Sequence, residues 1–243
     1  ARFHLGDPVG ATARFGEGRA AAEAIPDARL ASVMAGKHVR SLAIVAGEQG
    51  DLDEAGRLYG EALRLCQAVD DASGIRRVQG DLAYLALLRR DYADALERFK
   101  IVLSQERGGP LPIHDDLLGA AIAAAFVERG ERAVHCLAAA EAMGERLGLD
   151  TAIPSEQAAW DGAIAAAQRA LGQAAFDRAW AAGRTLRPEQ AIAEILEISA
   201  TSSPAEEWIT LSEREMEVLR LLVHVLERVL LVPGVVGPDH LLD

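Results

Sequence analysis

The sequence predicts an all-α fold, a right-handed α-solenoid of antiparallel helical hairpins closed by a C-terminal helical cap. The first observation is a pattern of small residues that repeats in register. Leu42-Ala43-x-x-Ala46 followed by Gly50-x-Leu52-x-x-Ala55-x-x-x-Tyr59-x-x-Ala62 recurs as Leu82-Ala83-x-x-Ala86 followed by Tyr92-x-x-Ala95-x-x-x-Phe99, a shift of 40 residues. A third copy puts Ala123 forty residues after Ala83, then Gly130, Ala133, Leu137 and Ala140, with about two residues lost from the inter-helix turn. Three in-register copies are the signature of an array whose units cannot bury their apolar faces alone. The second observation is composition: half of the 243 residues are apolar, aromatics make up 5%, and alternating β-branched runs are nearly absent. That balance suits tight helix-helix contacts built from small residues rather than a sheet. An alanine-rich bundle without a repeat would share the composition but not the registered spacing.

The spacing has a packing rationale. An alanine at 43 or 83 lets a neighbouring helix backbone approach, and the aromatic at 59 or 99 fills the space left by the alanine at 55 or 95. The pattern resembles the tetratricopeptide repeat, with a period of 40 rather than about 34 residues. The longer period implies longer turns between hairpins, such as Asp70-Asp-Ala-Ser-Gly74.

Taken in order, Gly6-Asp7-Pro8-x-x-Ala11-x-x-x-Phe15 aligns with Gly50-Asp51-Leu52-x-x-Ala55-x-x-x-Tyr59. Residues 1–25 therefore read as the second helix of a unit whose first helix is missing, which suggests a longer protein upstream. Pro26-Asp27 caps the next helix, about 28–49, and its partner runs to about 69. The second hairpin is expected at 74–89 and 92–105. Arg107-Gly-Gly-Pro-Leu-Pro112 reads as a break too rich in Gly and Pro for helix, with Asp115 and Asp116 starting the third hairpin at 115–129 and 131–147. After Gly148 the pattern changes. Pro154 opens a helix to about 170 with Trp160, Ile164 and Ala167 on one face. A shorter helix then carries Phe176 and Trp180 four residues apart, and Arg187-Pro188-Glu189 starts another to about 198. These segments are expected to cover the apolar face of the last repeat. The predicted organisation is thus repeats over 1–147, a capping segment over 148–198, a linker over 199–210 and a further element over 211–243.

Charge and chemistry narrow the function classes. Twenty-five Lys and Arg against 37 Asp and Glu give a net charge of −12, poorly suited as a whole to nucleic acid. Cys66 and Cys136 lie in helical apolar stripes without a second cysteine at metal-ligand spacing, which points to reduced core thiols in a cytoplasmic protein. The longest apolar run, 218–236, is broken by Arg220, Glu227, Arg228 and Pro233 and does not span a membrane. His114-Asp115-Asp116 reads as a helix start rather than a metal or acid-base cluster. His135 beside Cys136 reads as a partly exposed imidazole next to a core thiol. No nucleophile, base and orienter can be assembled from local motifs, so an enzyme is not expected, and no cofactor is implied.

Two stretches carry a further resemblance. Leu137-Ala-Ala-Ala-Glu141-Ala, continuing to Leu171-Gly172-x-x-x-Phe176-x-x-x-Trp180-x-x-Gly183-x-x-Leu186-x-x-x-x-Ala191, resembles the end of the repeat sensor region in large ATPase-linked bacterial regulators of the LuxR family. Leu211-Ser212-x-Arg214-Glu215-x-Glu217-Val218-Leu219-x-Leu221-Leu222 resembles the first helix of the LuxR-type helix-turn-helix, with Ser212 and Glu215 spaced as a capping box. The resemblance implies a transcriptional regulator with an upstream ATPase domain. No Gly-x-x-x-x-Gly-Lys-[Ser/Thr] occurs in this chain, whose lysines are Lys37 and Lys100. After Leu222 nothing matches the family's recognition helix; a reading-frame change and true divergence both produce such a tail. Residues 204–243 carry three Arg against six Glu and two Asp, a net of −5, the wrong sign for a groove lined by phosphates. DNA binding is therefore expected only from an intact helix-turn-helix that this chain lacks.

The tetratricopeptide resemblance also implies where a partner binds. In such arrays the first helix of each hairpin lines the concave face. The positions beside the small-residue signature are then Lys37, Arg40, Ile44 and Glu48, next Arg77, Asp81 and Tyr84, and last Leu117 and Ala124. Three cations and a tyrosine there suit a protein or peptide partner in extended form, or an anionic effector.

Overall fold

A computed structural model describes residues 7–105, 109–128, 130–149 and 154–199; the expected helix-turn-helix remnant and most of the linker lie outside them. The described residues form ten α-helices and no strand. They are α1 (Pro8–Glu23), α2 (Ala28–Glu48), α3 (Leu52–Gln67), α4 (Ala72–Leu88), α5 (Tyr92–Ser104), α6 (Pro110–Val127), α7 (Glu131–Arg146), α8 (Pro154–Leu171), α9 (Gln173–Gly183) and α10 (Pro188–Glu197). The fold is an all-α, tetratricopeptide-like solenoid in which each helix from α1 to α7 packs on the next.

The small-residue register is the packing seam. Ala43, Ala83 and Ala123 are fully buried, as are Ala55 and Ala95, while Tyr59, Phe99 and Leu137 are at most 5% exposed. With no side chain beyond Cβ at the crossings, neighbouring helices can approach closely enough for those larger residues to fill the remaining space.

The connectors are shorter than the 40-residue period suggested, and they share one geometry. Gly50, Asp70 and Arg90 sit in the left-handed region at φ 84°, 53° and 61°. At each, the following aspartate closes the preceding helix through its backbone N–H: Asp51 to Ala46 O at 3.0 Å, Asp71 to Cys66 O at 2.9 Å and Asp91 to Ala86 O at 3.0 Å. This six-to-one bond, with the five-to-two bond of the preceding residue, is the Schellman motif. The same aspartate then opens the next helix, because its carboxylate accepts from the N–H of Glu54 at 3.0 Å, Gly74 at 3.0 Å or Asp94 at 3.2 Å. One residue thus ends one helix and caps the next. The expected longer turn at 70–74 is corrected accordingly: α4 already begins at Ala72, and the extra residues of the period go into helix, α2 alone having 21.

A second correction concerns 107–116. Helix α6 begins at Pro110, not at 115, with Gly109 as its N-cap. Prolines are tolerated in a first turn because the N–H groups there have no intrahelical acceptor to lose. Asp115 and Asp116 therefore lie in the second turn and do not cap the helix.

Beyond α7 the packing order changes. In the repeats, the second helix of one hairpin packs on the first helix of the next; α7 instead packs mainly on α9, while α8 lies against α6. Gly183 makes the α7–α9 contact possible, since a Cβ there would stand 2.5 Å from the His135 carbonyl oxygen. Trp180 stacks on Phe176, ring centroids 5.3 Å apart, and meets Trp160 edge-on at 6.1 Å. Helix α10 turns back over the last hairpin: Ala191 and Ile195 are fully buried, His135 Nδ1 lies 3.1 Å from Glu194 Oε2, and Lys100 donates to the carbonyl of Ile198 at the helix C-terminus.

Candidate functional site

Helices α2, α4 and α6 touch in succession, the arrangement of first helices along the inner side of an array. On α2, Lys37, Arg40, Ile44 and Glu48 follow one another at three- and four-residue steps and share a face; on α4, Arg77, Asp81 and Tyr84 do the same. The structure joins the two faces. Arg40 holds Asp81 with both arms of its guanidinium, Nε to Oδ2 and Nη2 to Oδ1, the latter at 2.8 Å. One register further on, Arg76 Nη1 donates to Asp116 Oδ2 at 2.9 Å, linking α4 to α6. Gly80 makes room for that second pair, since a Cβ there would lie 2.8 Å from Asp116 Oδ1.

Both pairs are largely withdrawn from water, with Arg40 and Asp81 side chains 24% and 16% exposed and those of Arg76 and Asp116 17% and 13%. Burial works against the charge on Arg40, but Asp81 beside it prevails and holds the guanidinium above its usual range. Burial also pushes the Asp81 carboxyl up against the pull of Arg40, and pushes that of Asp116 up to about 6 against the pull of Arg76. The Tyr59 hydroxyl, buried under the first pair, is raised by that burial and by the neighbouring Asp81 charge.

This geometry revises the expected groove. Leu117 is fully buried, as is Ala124; both belong to the core under α6 and do not line a binding surface. The carry-over by 40 residues fails there because α6 presents Asp116, not Leu117, to α4. Arg40 is engaged by Asp81, so its fork is not free for a ligand. Arg76, which the sequence reading passed over, and Asp116, which it took for a helix start, tie α6 to α4. The cations left open are Lys37 and Arg77, both exposed and without an ion pair to another described residue. They stand 40 residues apart, at matching positions of α2 and α4.

Cys66, Cys136 and His114 lie apart from these pairs, in the core. Burial raises the thiols of Cys66 and Cys136 above their ordinary range, which keeps them protonated, and Cys136 Sγ donates to Ala191 O at 3.6 Å. His114 is buried with Nδ1 3.1 Å from Asp115 Oδ1. Among the described residues no three His, Cys, Asp or Glu are placed to hold a metal ion, and no helix is long and apolar enough to cross a membrane. An open hollow of about 540 Å³ lies between the 50–53 and 88–90 segments at the hairpin tips. Arg89 spans it, donating to Leu52 O at 2.9 Å and to Asp53 Oδ1 at 3.0 Å.

Residues 33–104 match the family model of the tetratricopeptide repeat. The match covers most of α2 and all of α3, α4 and α5, the two hairpins that carry Lys37, Arg40, Arg77 and Asp81. No curated protein and no solved structure matches the chain. Tetratricopeptide repeats are protein-interaction modules, and that is the functional class of this segment.

Proposed function

We propose that the chain is the sensor and protein-interaction module of a LuxR-type bacterial transcriptional regulator, and that the inner face of α2 and α4 takes up an extended, acidic peptide segment or an anionic effector. The observation that carries the groove reading is that Lys37 and Arg77 stay exposed at matching register positions while Arg40 and Arg76 beside them are neutralised within the fold. Two open cations one hairpin apart favour a ligand with two separated negative groups. The regulator reading rests on the resemblance of 211–222 to the first helix of a LuxR-type helix-turn-helix. Under it the upstream ATPase domain is the first partner to try, and DNA binding is lost in this chain. A free-standing adaptor that binds a peptide through the same groove is the second reading, favoured by the tail's departure from the family after Leu222.

The groove is tested by calorimetric titration of the chain with a glutamate-rich peptide and with a lysine-rich control. Binding of the acidic peptide alone, weakened at least about tenfold by Lys37→Glu or Arg77→Glu and by added salt, is expected. Equal affinity in wild type and both variants removes these residues from the site. Sequencing the gene around codon 222 separates the two readings, because a shifted frame encoding Ser-Asn-x-Glu-Ile-Ala restores the family's motif.

A further inference from the structure

The inner helices α2, α4 and α6 are covered along most of their length. Beyond its first turn each has a single exposed side chain: Lys37 on α2, Arg77 on α4 and Asp115 on α6, spaced 40 and 38 residues apart. Between them the charges that join these helices are paired with each other, as Arg40–Asp81 and Arg76–Asp116. Asp115 stands on the same side of the array as the two cations. Its carboxylate is near enough to the Arg40–Asp81 pair to act on both members, and Arg77 acts on Asp81 in turn. Its Oδ1 lies 3.1 Å from Nδ1 of the buried His114, and 62% of its side chain stays exposed. The face therefore offers two positive charges and then a negative one, in that order from α2 to α6.

We infer that the inner face selects an extended segment bearing two acidic side chains and then a basic one at three-residue steps, the acids meeting Lys37 and Arg77 and the base meeting Asp115.

The selection rests on the binding groove proposed above, to which it adds an order of charges. Packed helices lie about 8–10 Å apart from axis to axis. Three residues of a polyproline-II segment advance about 9 Å and bring the side chain back to the same side. The pattern acid-x-x-acid-x-x-base thus puts one charge opposite each inner helix, whichever way the segment runs. The base also suits the chain as a whole, because a protein of net charge −12 repels a purely acidic ligand and a cation over Asp115 lessens that repulsion. One exposed ion pair contributes little. Order discriminates more strongly, since acid-x-x-base-x-x-acid sets like charges together over both Arg77 and Asp115.

The test is nitrogen-15 chemical-shift titration of the full chain with two end-blocked peptides of one composition, Glu-Pro-Pro-Glu-Pro-Pro-Lys and Glu-Pro-Pro-Lys-Pro-Pro-Glu. The first is expected to bind at least about fivefold more tightly at low salt, with the preference fading as salt is added. The wild type should also bind it more tightly than Glu-Pro-Pro-Glu-Pro-Pro-Glu. Asp115→Lys should reverse that second preference, and Asp115→Asn, which keeps an oxygen for His114, should remove most of it. Asp115 is exposed, so neither substitution reaches the core. A second preference unchanged in both variants overturns the inference. Equal affinity for the two isomers, with binding still weakened by Lys37→Glu or Arg77→Glu, overturns the charge order and leaves the groove standing. Binding of neither peptide, or binding indifferent to those two substitutions, overturns the groove and the order with it.

Discussion

The ring of Phe99 on α5 occupies the space that a side chain on Gly119 of α6 would need: a Cβ at 119 would stand 2.2 Å from Phe99 Cζ. Phe99 is 2% exposed, so the ring has nowhere to turn without disturbing the core. Replacing Gly119 by alanine should gain about 1 kcal/mol of helix propensity and lose about 1–3 kcal/mol to overpacking, for a net destabilisation near 1 kcal/mol. Urea unfolding reads the difference. A Gly119→Ala chain as stable as the wild type, or more so, would show that the ring gives way freely.

The three left-handed connector residues allow a test in the opposite direction. Gly50 adopts φ 84° at no steric cost, whereas Arg90 is held at φ 61° with a Cβ in place. Arg90→Gly should therefore stabilise the chain by a few tenths to about 1 kcal/mol, the steric relief being partly offset by the freedom glycine has when unfolded. Gly50→Ala should cost about 1–2 kcal/mol. Thermal unfolding of the two variants should move in opposite directions; a fall in both would mean that Arg90 makes a stabilising contact exceeding its strain.

What could be read from the sequence was what repeats. The alanines at 43, 83 and 123 announce the hairpin register because only a small residue is compatible with a close helix crossing, wherever the rest of the fold lies. The aspartates at 51, 71 and 91, twenty residues apart, carried an equally regular signal for helix starts, but the sequence reading gave that role to Asp27 and, incorrectly, to Asp115 and Asp116. Reading them would have put the start of α4 at Ala72. The first turn of α6 was misread because proline is a breaker in a helix interior and acceptable at its start, and composition alone does not say which applies. The site was less legible than the fold. Local pairs such as Arg98–Asp94, at 2.6 Å and four residues apart, follow from helix periodicity. Arg40–Asp81 and Arg76–Asp116 join different helices, and only the superhelical stacking decides that α6 offers Asp116 to α4 while Leu117 turns into the core.

The Arg40–Asp81 pair gives the last prediction. Removing one partner leaves the other charge in a largely dehydrated place, so Asp81→Ala should destabilise the chain by about 1–3 kcal/mol, less than a fully buried pair because a fifth or so of each side chain remains wet. Exchanging both partners for apolar residues of similar volume, Arg40→Met with Asp81→Leu, removes the dehydration cost together with the attraction, and should restore most of that loss. The cycle of two single variants and the double variant should then show a coupling of about 1–3 kcal/mol, well above the few tenths expected of exposed pairs such as Arg57–Glu54. Additive losses in the cycle would mean that the two side chains are held in place by their separate packing and that the inner helices do not depend on the pair. A strong coupling would make α2 and α4 one mechanical unit, which is what a groove must be if Lys37 and Arg77 are to meet a partner at a fixed separation.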